Sequence, residues 1–291
     1  MTDLLQFLAS GLANGAVYAL IGIGFSVIYS ASRVINFAQG EFVMIGGMAS
    51  VFLLTRLDVG LPLAVVVAIG VAVVTGLVLE RVVTGLAKSA TVVAMIIVTI
   101  GASILLRGLV EAGLGKQFYR LPPFSGEQPI TLAGAVIQTQ TLWVVGTLAV
   151  VVVALKLFFT RTRLGKALRA TAENPLAAAL VGIEVRTVLA VSFGLSALLG
   201  ALGGILTAPI TLTHYDIGSV LGLKGFCAAI LGGLASPFGA VAGGLALGLV
   251  EVVAAGYLSS AYKDAVAFLL ILATLLYRPS GLFAGRLAER V

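Results

Sequence analysis

The chain is a succession of apolar stretches, each close to the length of a bilayer core, joined by short polar connections. The stretches cover residues 4–30, 42–55, 61–83, 91–110, 141–160, 187–209, 222–257 and 264–277. A helix needs about 20 apolar residues to cross the hydrocarbon layer, and in lipid every backbone polar group must be satisfied within the protein. Repeated along a whole chain, this pattern predicts an all-α polytopic membrane protein, a single transmembrane domain over residues 1–291. Composition agrees: only 10% of residues are charged, against about 25% in water-soluble domains. The stretch at 222–257 is interrupted by LASPFG (234–239), and its first half, roughly 12–15 residues, is short for a crossing. Counted as two crossings it gives nine spans; counted as partly re-entrant it gives eight.

Orientation follows from the cations. The connection RTRLGKALRATAENPLAAALVGIEVR (161–186) carries Arg161, Arg163, Lys166, Arg169 and Arg186 against Glu173 and Glu184. Lys and Arg beside a span are retained on the cytoplasmic side. The N-terminus is then outside and the C-terminus inside, and 12 of the 18 Lys and Arg fall on the cytoplasmic side: those five plus Arg33, Arg81, Lys88, Lys156, Arg278, Arg286 and Arg290. The net charge of +6 is this asymmetry, not a nucleic-acid footprint. The start, MTDLLQF, has Asp3 and no Lys or Arg, so it reads as the outer end of the first span rather than a cleavable signal. Within 161–186, Asn174 followed by Pro175 has the form of a helix cap and first-turn proline, and Gly182 of a helix stop. Leu176, Ala179 and Leu180 share one face, while Ala177 and Ala178 keep the rod thin. This helix either docks on a partner or lies in the headgroups or against its own bundle.

Soluble-type catalysis has no footing. One histidine excludes a two-histidine metal site, and neither a GxSxG elbow nor a GxxxxGK[ST] phosphate loop occurs. No catalytic residue, metal ligand or cofactor is expected in this chain. The single cysteine, Cys227, excludes an internal disulfide. Energy for pumping must come from an ion gradient or another subunit.

Two interrupted stretches stand out, INFAQGEF (35–42) and GGLASPFG (232–239). They place Asn36, Phe37, Gln39 and Glu41, with Gly232, Gly233, Ser236 and Pro237, inside apolar sequence. Paired breaks in two halves of a membrane protein point to a transport path; the alternative is two ordinary cytoplasmic turns. Glu41 and Glu251 are costly in lipid and should face the interior, Glu251 in a structural hydrogen bond to neighbouring backbone. The 36 glycines include small-x3-small pairs such as Gly11/Gly15 and Gly244/Gly248, which let helices approach closely.

The blocks RVINFAQGEFVMIGG (33–47), RATAENPLAAALVGIEV (169–185), GFCAAILGGLASPFGAVAGG (225–244) and YKDAVAFLLILATLLYRPSGLFAG (262–285) occur in the order found in one family. Together they resemble the LivH-type permeases of bacterial high-affinity branched-chain amino acid ABC importers, across nearly the whole chain. The resemblance implies a subunit of the bacterial cytoplasmic (inner) membrane that works by alternating access. Its implied partners are a related second permease in a heterodimer, two cytoplasmic ATPase subunits that carry ATP and Mg, and an extracytoplasmic substrate-binding protein. Arg169, Glu173, Asn174, Pro175, Ala177, Ala178 and Gly182 resemble the family's ATPase-contact element. Gln39 stands where many relatives have His. Relatives also carry urea, amides or other amino acids, and an ion-coupled secondary transporter is the reading from a different class.

Overall fold

A computed structural model describes residues 2–86, 91–126, 128–132, 135–259 and 262–283. Lys88, Arg286 and Arg290, three of the cations assigned to the cytoplasmic side, lie outside the described residues. The chain is helical nearly throughout: α1 (Thr2–Ser32), α2 (Gln39–Arg56), α3 (Leu61–Leu86), α4 (Val92–Leu114), α5 (Thr139–Arg161), α6 (Arg163–Glu173), α7 (Pro175–Leu180), α8 (Val185–Thr211), α9 (Ile217–Gly232), α10 (Pro237–Tyr257) and α11 (Lys263–Tyr277). Among the described residues six helices, α1, α3, α4, α5, α8 and α10, are long and apolar enough to cross a membrane. The connection between α4 and α5 holds a small antiparallel hairpin, β1 (Ile130–Leu132) and β2 (Ala135–Ile137), with Ile130 opposite Ile137. Sequence reading missed both strands, because three-residue strands leave no periodicity to detect.

The centre of the bundle is α1, buried on every side through most of its length. It packs along α10, α8 and α9. Its seam with α10 runs antiparallel: Gly11 meets Gly248 and Leu249, and Gly15 meets Gly244 and Leu245, backbone against backbone. Hydrophobicity cannot drive helices together in lipid, so close contact of this kind supplies the attraction. By contrast α3, α4 and α5 expose broad apolar faces, as a bilayer or a partner subunit would require.

α2 and α9 break the regularity. α1 ends at Ser32, and residues 33–38 turn back as irregular chain before α2 starts at Gln39. Gln39 lies against Ser196 and Gly200, at the middle of the 27-residue α8. Glu41 lies against Ser103, the central residue of α4. Two independent helices therefore place the start of α2 halfway through the bundle. The mirror arrangement occurs from the opposite end. α8 finishes at Thr211, Thr213 sits beside Gly47, about 12 Å further along α2 than Gln39 at 1.5 Å per residue, and α9 begins at Ile217 with Gly218 against Gly40. Two helix N-termini thus meet head to head at mid-height, one helix leaving in each direction. A Cβ at Gly40 or at Gly218 would collide with the other's carbonyl.

The α1–α10 seam should be intolerant of bulk. Gly244→Leu forces a side chain into the Ala19 backbone, and overpacking of this kind costs about 1–3 kcal/mol. The expected outcome is a lowered thermal unfolding midpoint of the purified protein in detergent, measured by tryptophan or thiol-reactive fluorescence.

Candidate functional site at the meeting of two half-helices

The irregular segment 33–38 is held by bonds within itself and to α4. Asn36 Oδ1 accepts from Ala38 N (3.1 Å), and its backbone carbonyl accepts from Gln39 N (3.2 Å). Phe37 N donates to Thr99 Oγ1 (3.3 Å), and the Phe37 ring, partly exposed, packs against Phe226 at 6.0 Å. Non-helical backbone at membrane depth persists only where protein or water receives it, and α4 and α9 provide that setting. Gln39 is fully buried. Its Nε2 donates to Ser196 O (3.1 Å), and its Oε1 accepts from Ser196 Oγ. The same hydroxyl lies 3.0 Å from Gly24 O, so Gln39 ties the start of α2 to α8 and Ser196 carries the contact on to α1.

Glu41, in the first turn of α2 and 1% exposed, accepts at Oε1 from Ser103 Oγ (2.7 Å) and Arg107 Nη2 (3.0 Å). Arg107 Nη1 reaches on to Asp216 Oδ1 at 2.8 Å. Asp216 is the N-cap residue of α9 and also accepts from Ser219 Oγ (2.9 Å). Each head-to-head helix therefore carries a carboxylate at its positive end, where the helix dipole favours a negative charge. One guanidinium joins the two. Glu41 Oε2 and Arg107 Nε are buried without a partner among the described residues.

The second group expected from sequence lies elsewhere. Gly232 ends α9, Gly233 caps it at φ 102°, and Ser236 Oγ caps α10 by accepting from Gly239 N (3.0 Å), with Pro237 in the first turn. Ala235 O accepts from Ser30 Oγ near the end of α1, and Leu282 N donates to Leu231 O. This is a turn at the end of the bundle, so the structure does not bring Gly232, Gly233, Ser236 and Pro237 together with Asn36, Phe37, Gln39 and Glu41. The segment that pairs with 33–38 is 212–216. Proline and glycine advertised the first turn in the sequence, whereas LTHYD (212–216) carries neither. Arg107, Ser103 and Asp216 were missed as well. The available signal was the lone Arg107 inside an apolar stretch, since an intramembrane cation is costly and needs a reason. A further buried charge group joins Lys224 to Glu251 (2.6 Å), Asp264 (2.9 Å) and the Tyr18 hydroxyl (3.3 Å), tying α1, α9, α10 and α11. Glu251 therefore has an ion-pair partner rather than the backbone bond expected for it.

In the 161–186 connection, α6 packs on α1, α5 and α8 through Leu168 and Thr171, with Arg169 and Glu173 lining a shallow surface recess. Asn174 Oδ1 caps α7 by accepting from Ala177 N (3.0 Å), Pro175 opens it, and Gly182 follows it at φ 87°. Leu176, Leu180 and Val181 are 73%, 82% and 77% exposed, and Ala177 is also exposed. Ala178, expected to meet a partner, is 3% exposed and faces the chain itself. Its position on the inward side of α7 explains its small size without any partner. Arg33, at φ 58°, donates from Nη2 to Ala172 O (2.5 Å), joining this connection to the segment that leads into α2.

Comparison with known proteins decides the family. Residues 7–275 match the family described as "Branched-chain amino acid transport system / permease component". The chain belongs to this permease family. It is 34% identical over 303 residues to the high-affinity branched-chain amino acid transport system permease protein LivH of Escherichia coli K12, covering 99% of this chain and 97% of that protein. To BraD of Pseudomonas aeruginosa, of the same description, it is 33% identical, covering 99% and 98%. The fold is similar to that of PsaBC from Streptococcus pneumoniae, solved in complex with Fab, at a TM-score of 0.53 and 13% identity over 94% of this chain and 93% of that one. The chain is a multi-pass membrane protein of a transport family.

The Gly182 backbone supports a specific outcome. A β-branched side chain tolerates positive φ poorly, so Gly182→Val should cost roughly 1 kcal/mol or more and loosen the α7 stop. Faster proteolysis between 174 and 186 in the purified protein would register it; unchanged proteolysis and thermal stability would contradict it.

Proposed function

We propose that this chain is the membrane-spanning permease subunit of an ATP-driven importer that moves branched-chain amino acids into a bacterial cytoplasm across the inner membrane. The observation that carries this reading is its end-to-end similarity to permeases named for that transport. The orientation that fits has the 161–186 connection in the cytoplasm. Arg33, Arg81, Lys156, Arg161, Arg163, Lys166, Arg169, Arg186 and Arg278 then gather at that end, as the positive-inside tendency favours. The N-terminus is outside and α11 leads inward.

The chain has no nucleotide-binding motif of its own, so ATP and Mg belong to two cytoplasmic ATPase subunits. α7 presents Leu176, Leu180 and Val181 to them, an apolar face of the kind a partner groove receives. A related second permease subunit completes the membrane part, and an extracytoplasmic binding protein delivers substrate to the opposite end. Closure of the ATPases moves α7 and α6. Arg33 carries the displacement from Ala172 to residues 33–38, and the start of α2 moves with them. Alternating access is then a change at the mid-height junction, where α2 and α9 each have a free end rather than a continuous rod.

The test is ATP-dependent uptake of leucine by proteoliposomes holding the complex purified through a tag on this chain. Co-purification of ATPase subunits and leucine accumulation support the reading; uptake driven by an ion gradient without ATPases would replace it with a secondary transporter, and uptake of urea or amides instead would move the substrate within the family. Glu41→Leu should lower uptake at least about tenfold while the complex still assembles, since it leaves Arg107 without one of its two carboxylates. Leu180→Asp should release the ATPases from the permease by placing a charge in an apolar contact, read as loss of co-purification with normal insertion.

A further inference from the structure

The junction of α2 and α9 has the charge arrangement of a receptor for a zwitterion. Two carboxylates, Glu41 and Asp216, flank the Arg107 guanidinium at 3.0 and 2.8 Å. Two helix N-termini each contribute roughly half a positive charge, so with the guanidinium and both carboxylates ionised the group sums to about zero. Its bonding capacity is not used up: Glu41 Oε2 and Arg107 Nε are buried with no partner among the described residues. Nor is it sealed, since the side chains of Arg107 and Asp216 are 30% and 44% exposed. Charged groups open to that extent at mid-bundle cannot face lipid; they face water, a cavity or a partner subunit. Two turns further along α2 lies a cavity of about 320 Å³ lined by Met48, Val51, Phe52 and Leu114 with Arg56 and Tyr119, at the small end of ligand-sized cavities.

We infer that the Glu41–Arg107–Asp216 junction holds the zwitterionic head of a passing α-amino acid, its carboxylate on Arg107 and its ammonium on Glu41 and Asp216. The inference rests on the importer reading above and specifies where in this chain the substrate is recognised. The Arg107 ion pairs close the path when it is empty. An incoming zwitterion exchanges for them pair by pair, so no charge is left unpaired in the low-dielectric interior, where an orphaned charge is heavily penalised. A net cation or net anion of the same size leaves one unpaired charge whichever way it enters. The junction therefore selects the head group, and the side chain is left to the apolar surroundings and to the binding protein.

The experiment uses the full complex carrying Ser103→Cys with Cys227→Ala in this chain. Labelling at position 103 by a small uncharged methanethiosulfonate is followed by mass spectrometry of this chain in each nucleotide state. L-Leucine at millimolar concentration should slow labelling by roughly tenfold, the equivalent of about 1.4 kcal/mol of occupancy, while leucinamide and 4-methylpentanoate, which each lack one charge of the pair, should leave it unchanged. Arg107→Gln should abolish the protection and Arg107→Lys should retain part of it. Equal protection by all three compounds, protection by none, or absence of labelling in every nucleotide state overturns the inference. Leucine uptake by the wild-type complex separates the two readings: no uptake fails the importer reading, whereas uptake without protection at position 103 fails only this one.

Discussion

Arg107 holds together two carboxylates that belong to different helices, and the interior of this protein is arranged around that bridge. α2 and α9 start at mid-height and point away from each other, which brings two positive helix ends into one place. Without Glu41 and Asp216 those ends would repel, and without Arg107 the two carboxylates would. Glu41 is the buried member of this group, and removing Arg107 would leave its charge without compensation. Ser103 at the centre of α4 completes the set, and it ties an otherwise lipid-exposed helix to the core.

The bridge is possible only because backbone approaches backbone around it. Gly40 and Gly218 let the two N-termini touch, and Gln39 anchors one of them to α1 and α8 through Ser196. α1 in turn is locked to α10 by the glycine seam. The result is a rigid spine carrying two short helices that begin at mid-height. A continuous transmembrane helix can tilt but cannot open at its middle; a pair of half-helices can part there, which is what alternating access at a fixed depth requires. On the cytoplasmic side of the proposed orientation, Arg33 provides a side-chain bond between α6 and the segment that leads to this junction.

The long helices were legible because span length and hydropathy are set by the bilayer itself: predicted spans and observed helices agree to within a few residues for α1, α3, α5, α8 and α11. The α7 cap, Pro175 and the Gly182 stop were legible from local backbone chemistry. The candidate site was half legible. INFAQGEF betrayed itself by polar residues in an apolar run, but its counterpart at 212–216 resembles an ordinary loop following a span. Gly-Gly and Ser-Pro at 232–237 drew attention to a turn that only ends two helices. Arg107 was not legible as part of the site because its partners are 66 and 109 positions away in sequence, and no pattern along the chain links them. Ala178 was assigned to a partner contact by its size, when small residues serve an inward face equally well.

The central claim is that residues 33–38 return to mid-membrane and deliver α2 to the middle of the bundle. A disulfide between Phe37→Cys and Thr99→Cys, in a chain with Cys227→Ala, tests it directly, because Phe37 N donates to Thr99 Oγ1 at 3.3 Å and the two residues are therefore neighbours. Oxidation of intact membranes should cross-link the two positions within this chain, and a membrane-impermeant thiol reagent applied from the cytoplasmic side should fail to label position 37 in at least one nucleotide state. Absence of the cross-link, together with full cytoplasmic labelling of position 37 in every state, would make 33–38 a surface turn and contradict the account.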